Sequence, residues 1–152
     1  MKLAQGIICG PWALAISFDW ASQIVERFEL SAIPKAPGWL MGSANVEGNI
    51  LPVVDLALYF SPEIPVSTAQ RQQRILVAGV TKAGAEDALA LLFSGLPQQL
   101  SYETEAMTYS QALPLKLREV CEGVALNIGG QNYLEINARK LVAALSDELA
   151  VL

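Results

Sequence analysis

Histidine is absent from all 152 residues of this chain. Its absence removes the commonest general base and metal ligand near neutral pH. It also excludes a role in which this chain itself carries a phosphoryl group on histidine. Charge is sparse as well: only 16% of residues are Asp, Glu, Lys or Arg, and they sum to −5. No Lys/Arg cluster is present to neutralise phosphates, which argues against nucleic acid as a partner. The two cysteines, Cys9 and Cys121, lie far apart, and neither has metal-ligand spacing around it. A disulfide between them lacks support; two buried free thiols in a reducing cytoplasm are the expectation. No apolar run approaches the ~20 residues that cross a bilayer, so direct membrane insertion is not expected. Met1 to Cys9, with one lysine and a short apolar run broken by Gln5 and Gly6, is too weak for a signal peptide. Neither a GxSxG nucleophile elbow nor a GxxxxGK[ST] phosphate loop occurs, and no cofactor is implied.

What is present is hydrophobic: 53% of residues are apolar, which argues for a well-filled interior and against disorder. A chain of this length is one domain by the usual prior and buries roughly 68–70% of its unfolded surface. The most informative stretch, Ile33 to Leu56, packs three prolines and three glycines into an apolar segment that keeps its strand character. Pro34 and Pro37 stiffen the approach, because each ring sets φ and holds the preceding residue extended. Met41 to Val46 reads as a strand and Asn49 to Val54 as its return. Gly48 sits where a tight hairpin needs a residue that tolerates positive φ. Pro52 suggests an edge or bulge position. Asp55 is placed to cap a short helix over Leu56 to Phe60.

Elsewhere, strands are predicted at Gly6 to Cys9 and at Trp12 to Phe18, where Trp12, Leu14, Ile16 and Phe18 share one face. Asp19 reads as the N-cap of a brief helix, with Ile24 to Leu30 continuing as helix end or strand. Ser61 to Gln73 is a polar loop and the main internal boundary. Arg74 to Val80 and Ala88 to Phe93 read as antiparallel partners about a turn at Thr81 to Glu86. Gly95 and Pro97 then interrupt, before a short strand at Gln99 to Glu103. Glu105 to Glu119 is irregular, with Pro114 against a long helix. Val120 to Ile128 and Asn132 to Ile136 form a hairpin around Gly129-Gly130. Asn137 caps a C-terminal helix whose Ala138, Leu141, Val142, Leu145 and Leu149 recur at helical spacing. About ten short strands and a terminal helix predict an all-β fold with a short C-terminal helix. Periodicity alone does not choose between one barrel, two small barrels and a sandwich.

The residues Ile33, Pro34, Pro37, Trp39, Leu40, Gly42, Asn45, Gly48, Pro52, Val53, Asp55 and Leu56 resemble the signature of the CheW-like domain, the adaptor of bacterial chemotaxis and related motility signalling. Similarity extends over about residues 4 to 146. It implies two SH3-like, five-stranded β-barrel subdomains within a single domain, 1–152, whose halves meet near 61–73. Two positions depart from the family pattern. Glu47 replaces the arginine before the turn glycine, and Ser94 stands where an aspartate is expected.

The resemblance implies a non-enzymatic adaptor with cytoplasmic localisation. Its partners would be the regulatory domain of a CheA-like histidine kinase and the cytoplasmic hairpin of a chemoreceptor of the methyl-accepting type. A variant is an adaptor of a type IV pilus (twitching) system. The rival from another class is a small-ligand-binding β-barrel, which would show a thermal shift with a metabolite. In the family, the arginine at position 47 lies near the receptor-facing groove between the barrels, and Ile24 and Glu26 resemble a position that contributes to receptor contact. The implied partner-binding residues are therefore Ile24, Glu26, Trp39, Asn45, Glu47 and Gly48. Asn45 and Gly48 also satisfy turn geometry without any partner. Trp39 suits a docking edge and a core equally. Glu47 has no turn-forming reason to be there. Asp19 and Asp55, the carboxylates one would consider for acid–base work, both precede expected helical turns and are read as caps.

Overall fold

A computed structural model describes residues 1–62, 73–79, 88–105, 113–126 and 131–149. The strands are β1 (Lys2–Cys9), β2 (Trp12–Ser17), β3 (Ala21–Val25), β4 (Leu40–Val46), β5 (Asn49–Val54), β6 (Gln73–Ala78), β7 (Leu89–Tyr102), β8 (Thr104–Glu105), β9 (Cys121–Leu126) and β10 (Asn132–Ile136). Among the described residues three short helices accompany them: α1 (Leu56–Phe60), α2 (Leu115–Val120) and α3 (Ala138–Leu149).

The strands form one hydrogen-bonded network that does not close into a single barrel. It divides into two five-stranded halves that share β7. In the first, β3, β6, the start of β7, β5 and β4 are successive neighbours. A reciprocal pair of 2.8 Å hydrogen bonds between Ser31 and Ser43 brings the chain leaving β3 back against β4. In the second, the end of β7, β1, β2, β10 and β9 are neighbours. There β8, directly beyond β7, pairs with β9 and brings the sheet round. Each half has its own small core. Ala44, Val46, Leu51, Val53, Ile75, Val77, Ala90 and Leu92 fill the first, and Ala4, Ala13, Ala15, Leu100, Tyr102, Ala125 and Tyr133 the second. A larger core lies between the halves, where the helices contribute Tyr59, Phe60, Leu117, Leu141 and Leu145. These two barrel cores and the seam between them are the SH3-like pair that the signature implies.

That seam explains why β2 departs from simple alternation. Leu14 and Ile16 face the central core while Ala13 and Ala15 face the second barrel, so both faces are buried. The expected break at Gly95 and Pro97 is instead a bulge within one long strand. Between the pairs Gly6–Gln98 and Ile8–Ser94, β1 supplies Ile7 while β7 supplies Gly95, Leu96 and Pro97. Gly95 takes φ +77°, and Pro97 falls where no ladder bond is asked of it. Asp19 caps no helix: it lies in the β2–β3 turn, and Ala21–Val25 is a strand paired with β6. Cross-sheet pairing with Ile75, Leu76, Val77 and Ala78 outweighs the local helix signal. Nor is β5 an edge strand, since it pairs with both β4 and β7. Pro52 is accommodated one residue before the β7 ladder begins at Val53.

Asp55 caps α1 as expected, its Oδ1 accepting from the Leu58 N–H at 3.3 Å. Asn137 likewise caps α3, accepting from the Lys140 N–H at 3.1 Å. Pro114 immediately precedes α2, where its missing N–H costs nothing. Lys116 of α2 lies 4.6 Å over the Tyr59 ring of α1 and pairs with Glu148 of α3 at 2.7 Å, tying the three helices together. Cys9 is buried and Cys121 half-buried, both as free thiols. The Gly129-Gly130 turn, the Thr81 to Glu86 turn and residues 63–72 of the polar loop lie outside the described residues.

Candidate functional site

The β4–β5 hairpin is built on strict alternation. Leu40, Gly42, Ala44 and Val46 face inward, while Met41 and Asn45 face solvent. Its two-residue loop, Glu47-Gly48, has φ of +52° and +87°, the left-handed pair of a type I′ turn. Asn45 Oδ1 accepts from the Gly48 N–H at 2.9 Å and steadies that turn. Glu47 is exposed at the tip, and Gln23 Nε2 of β3 donates to its Oε1 at 3.4 Å. Gly42 is required for a different reason. At φ +144°, a Cβ there would sit 2.5 Å from the Ser31 carbonyl oxygen, where the barrel is bridged.

Trp39 lies in the core, 6% exposed, with its ring edge-on to Tyr59 at 5.3 Å. Its carbonyl accepts from the Asp55 N–H at 2.8 Å, which fastens the start of α1 to the approach to β4. Leu40 is also buried, and Ile33 packs partly buried against the same core. Asp55 is pushed above the usual carboxylate range by burial, partly offset by the N–H groups of Leu58 and Ala57.

Opposite the hairpin runs the chain leaving β3. Ile24 is half-buried against the central core, and Glu26 is exposed. Glu26 Oε1 meets Arg74 Nε at 3.4 Å, while Arg74 Nη1 donates to the Gly95 carbonyl at 2.8 Å. Glu26 and Asn45 line a common groove with Phe28, Leu30, Ser31 and Ile50. The structure therefore brings Glu26 and Asn45 to one groove with Glu47 and Gly48 at the adjoining hairpin tip, whereas Trp39 lies in the central core between the halves and Ile24 packs partly buried against it. Sequence reasoning missed the apolar part of this surface: Ile50 is 69% exposed and Leu30 42%. One signal was available, since in the run Ile50-Leu51 an antiparallel strand turns only one of the two inward. Arg74 was missed too, because its partner Glu26 lies 48 residues away. Among the described residues no group of three or more Asp, Glu or Cys side chains is arranged to hold a metal ion.

The sequence profile of the CheW-like domain matches residues 7–146. The chain belongs to the CheW-like domain family. Its fold agrees with a solved structure, the scaffolding protein TtCheW from Thermoanaerobacter tengcongensis. The two superpose with a TM-score of 0.68 at 16% identity, covering 89% of this chain and 88% of that one. No curated protein sequence matches. In this CheW-like chain the two departures from the family pattern occupy distinct places. Glu47 is at the exposed hairpin tip, whereas Ser94 is half-buried in β7 where the bulge against β1 begins.

Proposed function

We propose that this protein is a non-enzymatic cytoplasmic adaptor that couples the cytoplasmic hairpin of a chemoreceptor to the regulatory domain of a CheA-like histidine kinase. The family match over residues 7–146 supports a signalling scaffold of the chemotaxis type. The observation that carries the reading further is the surface joining Glu26, Asn45 and the Glu47 tip. Its exposed apolar residues, Ile50 and Leu30, lie among the polar side chains of Glu26, Glu29, Ser31, Ser43 and Asn45. Such an apolar centre with a polar rim is how specific protein interfaces are built. The first barrel, bridged at Ser31–Ser43 and stiffened by prolines, presents it preorganised, so little entropy is lost on docking. Signal would pass as a change in the relative geometry of the bound partners.

Affinity capture from the native cell lysate, followed by mass spectrometry, tests this directly. The expected outcome is joint recovery of a receptor-type coiled coil and a histidine kinase. Which receptor is recovered also assigns the pathway, flagellar or pilus. Recovery of neither by folded protein would overturn the adaptor and turn attention to metabolite-induced thermal shifts.

A further inference from the structure

The groove beside β4 runs along a strand edge. Because the hairpin closes through a two-residue loop, Val46 and Asn49 form a hydrogen-bonded pair. Alternation then makes Asn45–Ile50 and Ser43–Pro52 non-hydrogen-bonded pairs, whose N–H and C=O groups point away from each other. Ser43 confirms this, since it exchanges both of its outward bonds with Ser31. At Asn45, the next outward position, no main-chain partner is present among the described residues. The opposing chain peels away there: residues 26–30 have no regular structure and take no part in a ladder. Ile50 lies directly across from Asn45 and is 69% exposed, and Leu30, on the other wall, is 42% exposed.

Charge adds a preference. Glu29 and Glu47 are exposed beside this position, whereas Arg74 is already committed to Glu26 and to the Gly95 carbonyl. Arg27 on the same wall is outnumbered, and the whole chain carries −5.

We infer that this groove takes an extended, basic peptide segment of a partner, which adds as a strand alongside β4 at Asn45. Its backbone pairs with the Asn45 N–H and C=O. Apolar side chains of the segment meet Ile50 and Leu30, and Lys or Arg residues meet Glu29 and Glu47. This deepens the adaptor reading by naming the chemistry of one partner contact. It rests on that reading only in supposing that a partner exists.

The test uses the folded full chain and a fluorescent decapeptide of alternating Val and Lys, with alternating Val and Glu as control. Anisotropy should show the basic peptide binding at least about tenfold more tightly than the acidic one. Asn45→Pro deletes the groove-facing N–H without touching the hairpin ladder, and should weaken binding by roughly tenfold or more. Asn45→Ala, which loses the side-chain bond to Gly48 but keeps that N–H, should retain binding. In the wild-type protein, amide chemical-shift changes should centre on Leu30, Asn45 and Ile50. That measurement holds the inference to account even where Asn45→Pro does not fold. No binding at millimolar peptide, equal binding of the acidic control, full binding by folded Asn45→Pro, or shifts centred elsewhere would each overturn it. Self-association abolished by Asn45→Pro would also overturn it, by assigning the edge to a second copy. If the lysate capture succeeds while the peptide fails, the adaptor stands without this contact. The reverse result separates the two readings equally.

Discussion

Glu47 holds a left-handed backbone conformation, φ +52°, that costs a side chain bearing a Cβ about 1–2 kcal/mol. Asn is the residue that a type I′ turn prefers at this place. Glu47→Asn should therefore raise stability by about 1 kcal/mol, a rise of about 2–4 °C in Tm for a chain of this size. Glu47→Arg keeps the Cβ and should leave Tm nearly unchanged while reversing the charge offered to a partner. Placing a like charge against an interface charge costs roughly 2–5 kcal/mol, so capture of the native partner should fall about thirtyfold or more. Unchanged capture would remove the tip from the interface. Gly48 and Asn45 were legible as turn residues from their types alone. The strain at Glu47 was not, because φ at that position follows from the register of β4 on β5.

Among the elements, α1 shows the most direct passage from local sequence to structure. A five-residue helix is too short to stand alone, so its cap and its packing hold it. Asp55→Ala should cost about 1 kcal/mol, read as a lower urea midpoint at neutral pH. Asp55→Asn should behave differently. Burial raises the Asp55 pKa, so its contribution is present in full below the unfolded value and is lost as pH rises through the folded one. A neutral side chain that still accepts from Leu58 should then match or exceed wild-type stability at pH 7. β7 is the counter-example. Gly95 and Pro97 are ordinary strand breakers, and only the partner β1, offering one residue against three, turns the break into a bulge.

At the scale of the molecule, one buried carboxylate fastens the second barrel. Glu135 of β10 is 5% exposed and is bonded by Lys2 Nζ at 3.1 Å and by Thr104 Oγ1 at 2.9 Å, joining β10, β1 and β8; the Tyr102 hydroxyl adds β7. Burial pushes its pKa up, but the bonds from Tyr102, Thr104 and Lys2 outweigh that and hold it below its ordinary 4.5. A depressed carboxylate contributes stability above its unfolded pKa and loses it as pH falls through the folded one. Tm should accordingly drop as the solution is acidified below about pH 4.5. Glu135→Gln should lower Tm at pH 7, costing about 1.5–3 kcal/mol for the charged bonds, and flatten the acid limb. An acid limb unaltered by the substitution would place that loss elsewhere.

Local chemistry settled a good part of this protein from its sequence. Turn geometry at Gly48, the caps Asp55 and Asn137, the strand alternation of β4 and the helical stripe of α3 each depend on a few neighbouring residues. The Ile33 to Leu56 signature placed the chain in its family, and with that its paired barrels. The tertiary structure alone decided which strands share a barrel, that β3 is a strand, that β7 serves both halves, and that Trp39 lies in the core. It also decided that Glu26, Leu30, Asn45 and Ile50 line one groove. Each of these depends on pairing between residues distant in the chain, such as Ser31 with Ser43 or Gly6 with Gln98. Such pairings are chosen by how much apolar surface the whole assembly buries, a quantity that no short stretch of sequence contains.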